Sequence, residues 1–373
     1  MDEVLYLMDS LWTMVAAILV IFMIAGFIML EAGSTRMKNA GHVAGKTVFT
    51  FGLAALVFWA VGYAFIFGGN SNFFVGMTDF FFSGGNDPEG SLATTVFFVF
   101  QLAFAGISVT IALGGFAERA KFSAYVIFTI LFGIIVYPVI AHWVWGGGWL
   151  AEHGKQDFAG STVVHLTGAM AALAATIILK PRIGKYNKDG SANNLAGHNQ
   201  DYTALAVLIL WVGWFGFNAG STVSVGDAFF GFVALNTNLA AAAGVVAATL
   251  ISWLVLGKSD IPTILNGALA GLVAITASCA FVDVWASVVI GFVAGILVFF
   301  SCRFFEKRKI DDPIFALSVH GAAGIWGTLS NGLFATPELA STGKAGLFYG
   351  GGFDQLWVQF YGVVVCGAFA FGV

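Results

Sequence analysis

DFAGSTVVHLTGAM, residues 157–170, is the stretch whose reading decides the fold. It belongs to an apolar run at 158–180, and about 20 apolar residues in a helix cross the hydrocarbon core of a bilayer. Yet it holds an aspartate and a histidine, groups that hydrocarbon penalises. ALSVHGAAG, residues 316–324, repeats the pattern, with one histidine in a run that is otherwise apolar or small. An ionisable group in a spanning segment must have a partner or a water-filled path. The two runs therefore predict a membrane protein with a polar site at depth.

The rest of the chain agrees. Of 373 residues, 59% are hydrophobic and 10% charged, and the mean hydropathy is +0.89. A soluble domain carries roughly a quarter charged residues. The deficit runs along the whole length, which excludes a soluble domain on one anchor. Apolar stretches near 11–31, 44–68, 93–117, 122–144, 158–180, 202–221, 229–256, 262–282, 284–302, 314–335 and 355–373 predict an all-α polytopic protein of eleven transmembrane helices. Alternating sides puts Arg36, Lys38, Lys46, Arg119, Lys121, Lys180, Arg182, Lys185, Lys188, Lys258, Arg303, Lys307, Arg308 and Lys309 on one face. Lys155 and Lys344 fall on the other. This asymmetry predicts an extracytoplasmic N-terminus and a cytoplasmic C-terminus, which an odd helix count requires. MDEVLYLMDS opens with acids and has no basic leader pattern. The longest outer loop, 68–91, is acidic and aromatic. Cys279, Cys302 and Cys366 share no spacing and read as small core residues.

Internal matches predict an inverted repeat. AGST occurs at 32–35, ending the first helix, and at 219–222, ending the sixth, each near a Gly-Phe pair (Gly26-Phe27 and Gly216-Phe217). Val164-His165 in the fifth helix matches Val319-His320 in the tenth. Matched pieces on oppositely directed helices imply a symmetry axis in the membrane plane, with the substrate path at the repeat interface. The expected division is a first repeat at 11–180, a second at 202–335 and an eleventh helix at 355–373. A cytoplasmic tail is expected beyond Val373.

If the repeat holds, His165 and His320 meet as symmetry mates. Two neutral imidazoles can share one proton and pass it on. Two histidines are too few for a metal, and Asp157 lies eight residues from His165, about 12 Å of helical rise, so it cannot share a ligand shell. No metal site and no cofactor are expected. Asp157 reads as an N-cap for the run that follows it. Trp145, Phe104, Phe217 and Ser221 lie on helix ends or apolar faces. Aromatic faces with one hydroxyl acceptor would suit a small cation, but Trp and Tyr also populate any membrane interface.

At these residues the chain resembles the Amt/MEP/Rh family of ammonium transporters. MLEAGSTRMKN (29–39), QLAFAGISV, GFAERAKFSA, AHWVWGGG, DFAGSTVVH, WVGWFGFNAGS, LNGALAGLVAIT and SVHGAAGIWG are similar to family motifs, in family order and across essentially the whole chain. The resemblance implies eleven helices with an inverted five-helix repeat, in a homotrimer with one pore per subunit. It implies ammonium recruitment at Trp145 and Ser221 with Phe104 nearby, and a phenyl gate of Phe104 and Phe217. It also implies a pore lined by twin histidines, His165 and His320, and a structurally required Asp157. The expected function is transport in the inner (plasma) membrane. Ammonium gives up a proton, and ammonia passes with that proton carried separately. No catalytic residue and no nucleic-acid partner are implied.

DDPIFALSVH departs from the family pattern: Phe315 stands where an aspartate usually precedes the second histidine by five residues. Some family members are ammonium sensors, with the same core fused to a signalling domain. The alternative is therefore a receptor that couples ammonium binding to a cytoplasmic output with little flux. A PII-type regulator is a further possible partner on that side.

Overall fold

A computed structural model of the chain describes residues 2–85, 90–339 and 343–373. Part of the acidic outer loop, residues 86–89, lies outside the described residues. Among the described residues, eleven long helical segments follow one another, apart from single turns such as Trp149–Glu152: α1 (Asp2–Ser34), α2 (Met37–Phe67), α3 (Thr94–Gly114), α4 (122–144), α5 (Ser161–Leu179), α6 (Gln200–Phe217), α7 (Phe229–Leu256), α8 (Ile261–Ile275), α9 (Val284–Lys307), α10 (317–334) and α11 (Asp354–Gly372). Among the described residues there is no β-strand, only two isolated bridges. Buried backbone in a bilayer must satisfy its own hydrogen bonds, and helices do so within one segment. The eighth segment is shorter than its apolar run, because 276–280 continues as turns rather than helix.

α1 packs along α6 and α5 against α10, while α2–α3–α4 and α7–α8–α9 form matching flanks. These are the contacts that exchanging helices 1–5 with 6–10 requires. The α1–α6 seam shows why glycine is needed there. A Cβ on Gly26 would lie 2.8 Å from Leu210 and 3.2 Å from the Ala206 carbonyl. A Cβ on Gly216 would lie 2.6 Å from Leu19 and 2.7 Å from the Ala16 carbonyl. Gly26 and Gly216 thus face each other's helix reciprocally, the close approach that small residues allow between membrane helices. The two AGST strings do not share this register. The first ends α1 as helix, whereas the second forms a 3₁₀ turn, Ala219–Thr222, starting three residues after Gly216 rather than six. The Gly-Phe pairs carry the symmetry, and the AGST match is incidental to it.

The basic loops converge on one face. Glu118 holds Arg36 at 2.8 Å and also pairs with Arg182. Arg182 grips Asp311 through Nε and Nη2 at 2.8 and 3.0 Å. Against the burial that would raise it, Arg182 holds the Asp311 carboxyl below the usual range. Lys46 departs from its expected loop position: it is fully buried inside α2, and the asymmetry stands without it. Ile18, Phe22, Leu208, Trp253 and Leu254 point outward, as a lipid-facing surface requires.

Candidate functional site

The polar site begins at the start of α5. Asp157 Oδ2 accepts the amides of Thr162 and Val163, both at 2.9 Å, and Oδ1 accepts that of Gly160 at 3.2 Å. Asp157 therefore neutralises the first free amides of α5. It does so from four residues before Ser161, where the helix begins, because the chain turns through Gly160 at φ +115°. A side chain is strained at that angle, and a Cβ would press on Val164 at 2.7 Å. The Asp157 carbonyl accepts the indole N–H of Trp145 at 2.7 Å, which fixes that ring. Ser161 ties the same turn to α8, donating to the Val273 carbonyl and accepting from the Ala277 amide, each at 2.7 Å.

α5 opens with a π-helical stretch, Ser161–Leu166, and α10 with another, Leu317–Ala322; each carries one of the histidines. Such widened turns are rare and often lie at functional sites. His165 and His320 meet there. Their Nδ1 atoms are 3.2 Å apart and their rings stack at 5.1 Å with an interplanar angle of 16°. One Nδ1 must donate and the other accept, so the pair shares a proton. His165 Nε2 is buried with no partner in the chain, leaving one nitrogen free for something small.

Aromatic rings enclose the pair from both ends. Phe217 stacks on His165 at 5.4 Å, and Phe104 meets Phe217 at 4.3 Å. Trp145 stands edge-on to Phe104 at 6.0 Å. Phe104 and Phe217 are fully buried, whereas Trp145 is half-buried at the mouth. Ser221 donates its hydroxyl to the Phe217 carbonyl at 2.7 Å, which leaves its oxygen lone pairs to accept. The structure thus joins Trp145, Phe104, Phe217, His165 and His320 in one row of contacts. Ser221 joins that row through the Phe217 backbone, and among the described residues no hydrogen bond links Ser221 to Trp145.

Two rings were missed by sequence reasoning. Trp214 stacks on His165 at 5.3 Å, lies 5.5 Å from Phe217, and donates to Thr276 Oγ1 at 2.9 Å. Its three-residue offset from Phe217 was the available signal, since residues three apart share a helix face. Phe27 lies 6.3 Å from His320. It holds toward His320 the place that Phe217 holds toward His165, as the paired Gly-Phe motifs could have indicated.

On the basic face a cavity of about 430 Å³ is lined by Leu30, Arg182, Asp312, Phe315 and Ser318, among others. Phe315 adopts φ +61°. Asp312 accepts the Leu317 amide at 2.7 Å, capping α10, and burial pushes its carboxyl up to about 6. Among the described residues, no group of three or more His, Cys, Asp or Glu is placed to hold a metal.

The model of the Ammonium Transporter Family matches residues 11–373. The chain is 43% identical to Ammonium transporter Amt2 of Archaeoglobus fulgidus, over 98% of this chain and 80% of that protein. It is 36% identical to Ammonium transporter of Bacillus subtilis, over 97% of this chain and 89% of that one. Among solved structures it is similar to a Sensor Amt Protein, with TM-score 0.94 and 38% identity over 100% of this chain and 92% of that one. It is also similar to Candida albicans Mep2, with TM-score 0.90 and 30% identity over 98% and 82%.

Proposed function

The chain belongs to the Ammonium Transporter Family, and from that premise we propose that it recruits ammonium at Trp145 and conducts ammonia past the histidine pair. The observation that carries this reading is the 3.2 Å contact between the Nδ1 atoms of His165 and His320 in an otherwise apolar wall. Ammonium and potassium have the same charge and similar size, so cavity dimensions discriminate poorly between them. Ammonium differs in donating directional hydrogen bonds and in being able to lose a proton. The Trp145 face attracts the cation through cation–π contact, and Ser221 accepts one of its hydrogen bonds. Phe104 and Phe217, in contact, oppose passage of a hydrated ion. One N–H bond of ammonium breaks, the proton is left to the protein, and the ammonia so formed crosses them. The free Nε2 of His165 then accepts a hydrogen bond from ammonia, and the histidine pair carries the proton separately.

In this reading the basic face is cytoplasmic and the N-terminus extracytoplasmic, in the plasma membrane. The membrane domain divides into repeats at 11–180 and 202–335 with an eleventh helix at 355–373. Three copies assemble through outward apolar faces, and any PII-type regulator docks on the basic loops. The test is a current on a solid-supported membrane carrying the reconstituted protein. Ammonium should evoke charge movement and potassium should not.

A second reading, an ammonium receptor with little flux, is favoured by the likeness to a Sensor Amt Protein along the full chain. It predicts saturable ammonium binding, seen as a thermal shift, without ammonium-evoked current.

A further inference from the structure

Beside the pore wall lies a second embedded polar cluster that the transport reading does not use. Glu31 on α1 and Lys46 on α2 are both fully buried, and Oε2 and Nζ are 2.6 Å apart. Thr47 donates to the same carboxylate oxygen at 3.2 Å. The other oxygen, Oε1, has no hydrogen-bond partner in the chain, and neither has Oη of the fully buried Tyr125 on α4. Lys46 Nζ stands 5.4 Å from the centre of the Tyr125 ring. His42, 6.0 Å from Tyr125 by ring centres, is exposed on the basic face. These side chains form a row from the membrane interior to that face. An ionisable pair at such depth is costly to keep unless it has a function.

The other end of the row lies one helical turn from the ring beside His320. Glu31 lies four residues past Phe27, the ring beside His320, just as Ser221 lies four residues past Phe217, the ring on His165. Glu31 therefore takes, toward the basic face, the place in the repeat that Ser221 takes at the opposite mouth. Its neighbours Leu30 and Gly33 line the inner cavity. Gly114 makes room for it: a Cβ there would come within 3.0 Å of Glu31 Oε1. Phe315, five residues before His320, offers no carboxylate of its own.

We propose that Glu31 accepts the proton leaving the histidine pair, and that Lys46, Tyr125 and His42 pass a proton to the basic face apart from the ammonia path. The proposal rests on the transport reading. In one turnover a proton binds the Glu31 carboxylate while the Lys46 ammonium releases one through water toward Tyr125 and His42. The carboxylic acid and amine left in contact then exchange one proton, which restores carboxylate and ammonium. Proton entry and exit balance, and the pair stays neutral overall throughout. Ammonia regains a proton from water in the inner cavity.

Either single substitution would strand a buried charge, so the test uses Glu31→Gln together with Lys46→Met, which leaves none. Tyr125→Phe is the second variant. Each is reconstituted as the full chain, and two signals are read on the same vesicles: ammonium-evoked current, and ammonia entry by a lumenal pH dye. The double variant should lose charge movement on the order of tenfold while ammonia entry is retained. Tyr125→Phe should show the same split. Unchanged current in a folded double variant, or equal loss of both signals, overturns the proposal. If the double variant does not fold, unchanged current in Tyr125→Phe overturns it instead. A wild-type protein that moves no charge overturns the transport reading and this proposal with it.

Discussion

The Nδ1 atoms of His165 and His320 lie 3.2 Å apart although 155 residues separate them in the chain. Each histidine sits in a π-helical stretch, and each is covered by the phenylalanine of one Gly-Phe pair.

Replacing His320 with Ala removes one partner of the Nδ1–Nδ1 contact. Ammonium-evoked current should fall roughly tenfold or more, or potassium should begin to carry current. Solid-supported membrane recordings in ammonium and potassium chloride measure both. Unchanged current with unchanged selectivity would count against a role for the pair.

Phe217→Ala deletes a fully buried ring that touches Phe104 at 4.3 Å and His165 at 5.4 Å. Truncating a core Phe costs about 3–5 kcal/mol, so the melting temperature should drop. The opening should also admit water, which would quicken vesicle shrinkage after an osmotic step. A lower melting temperature with no added water permeability would reduce Phe217 to a packing residue.

Asp157 holds three amides at the start of α5. Asp157→Ala leaves all three without that acceptor and should cost about 1–3 kcal/mol. Asp157→Asn keeps one acceptor oxygen and should fall between. Melting in detergent, compared with current in vesicles, checks the order. Loss of current in Asp157→Asn at wild-type stability would mean that the charge itself acts on the cation.

Gly26→Ala and Gly216→Ala each force a Cβ into the α1–α6 seam, within 2.8 Å of Leu210 and 2.6 Å of Leu19 respectively. Both should destabilise by about 1–3 kcal/mol through overpacking. The reciprocal contacts predict similar losses, readable as paired melting shifts. A neutral result at either site would mean that the seam relaxes more freely than its packing implies.

Asp312 is partly buried, and loss of hydration pushes its carboxyl up to about 6 from the ordinary 3.8. Its folded pKa is raised, so it contributes stability that is full below 3.8 and lost as pH rises through about 6. The loss by pH 7.5 is about 3 kcal/mol. Asp312→Asn keeps an acceptor for the Leu317 amide and should raise the melting temperature at pH 7.5. Below pH 4 it should make little difference. Equal shifts at both pH values would exclude the titration.

Much of the site was legible because membrane burial makes polar residues conspicuous. His165 and His320 stood out against apolar surroundings, and the spans followed from run length. Lys46 misled for the same reason: at the edge of a run it resembled a loop charge, and only its contact with Glu31 shows otherwise. Trp214 and Phe27 stayed hidden because aromatic residues abound in any membrane helix, so their type carries no positional signal. The second AGST string misled because a short match among small residues fixes no register, and register is set by what each residue packs against.

The sequence alone determined the eleven helices, the gathering of basic loops on one face and the two embedded histidines. Those features rest on local properties: the length of apolar runs, the placement of charge and the cost of ionisable groups in hydrocarbon. Only the tertiary structure decided that the histidines stack, that Phe217 and Phe27 cover them in turn, and that Asp157 caps α5 from upstream. The ring contacts join helices far apart in sequence, and the Asp157 cap, though local, depends on the turn through Gly160. Side-chain contacts between helices depend on crossing geometry and close approach at glycines, which a linear pattern does not contain.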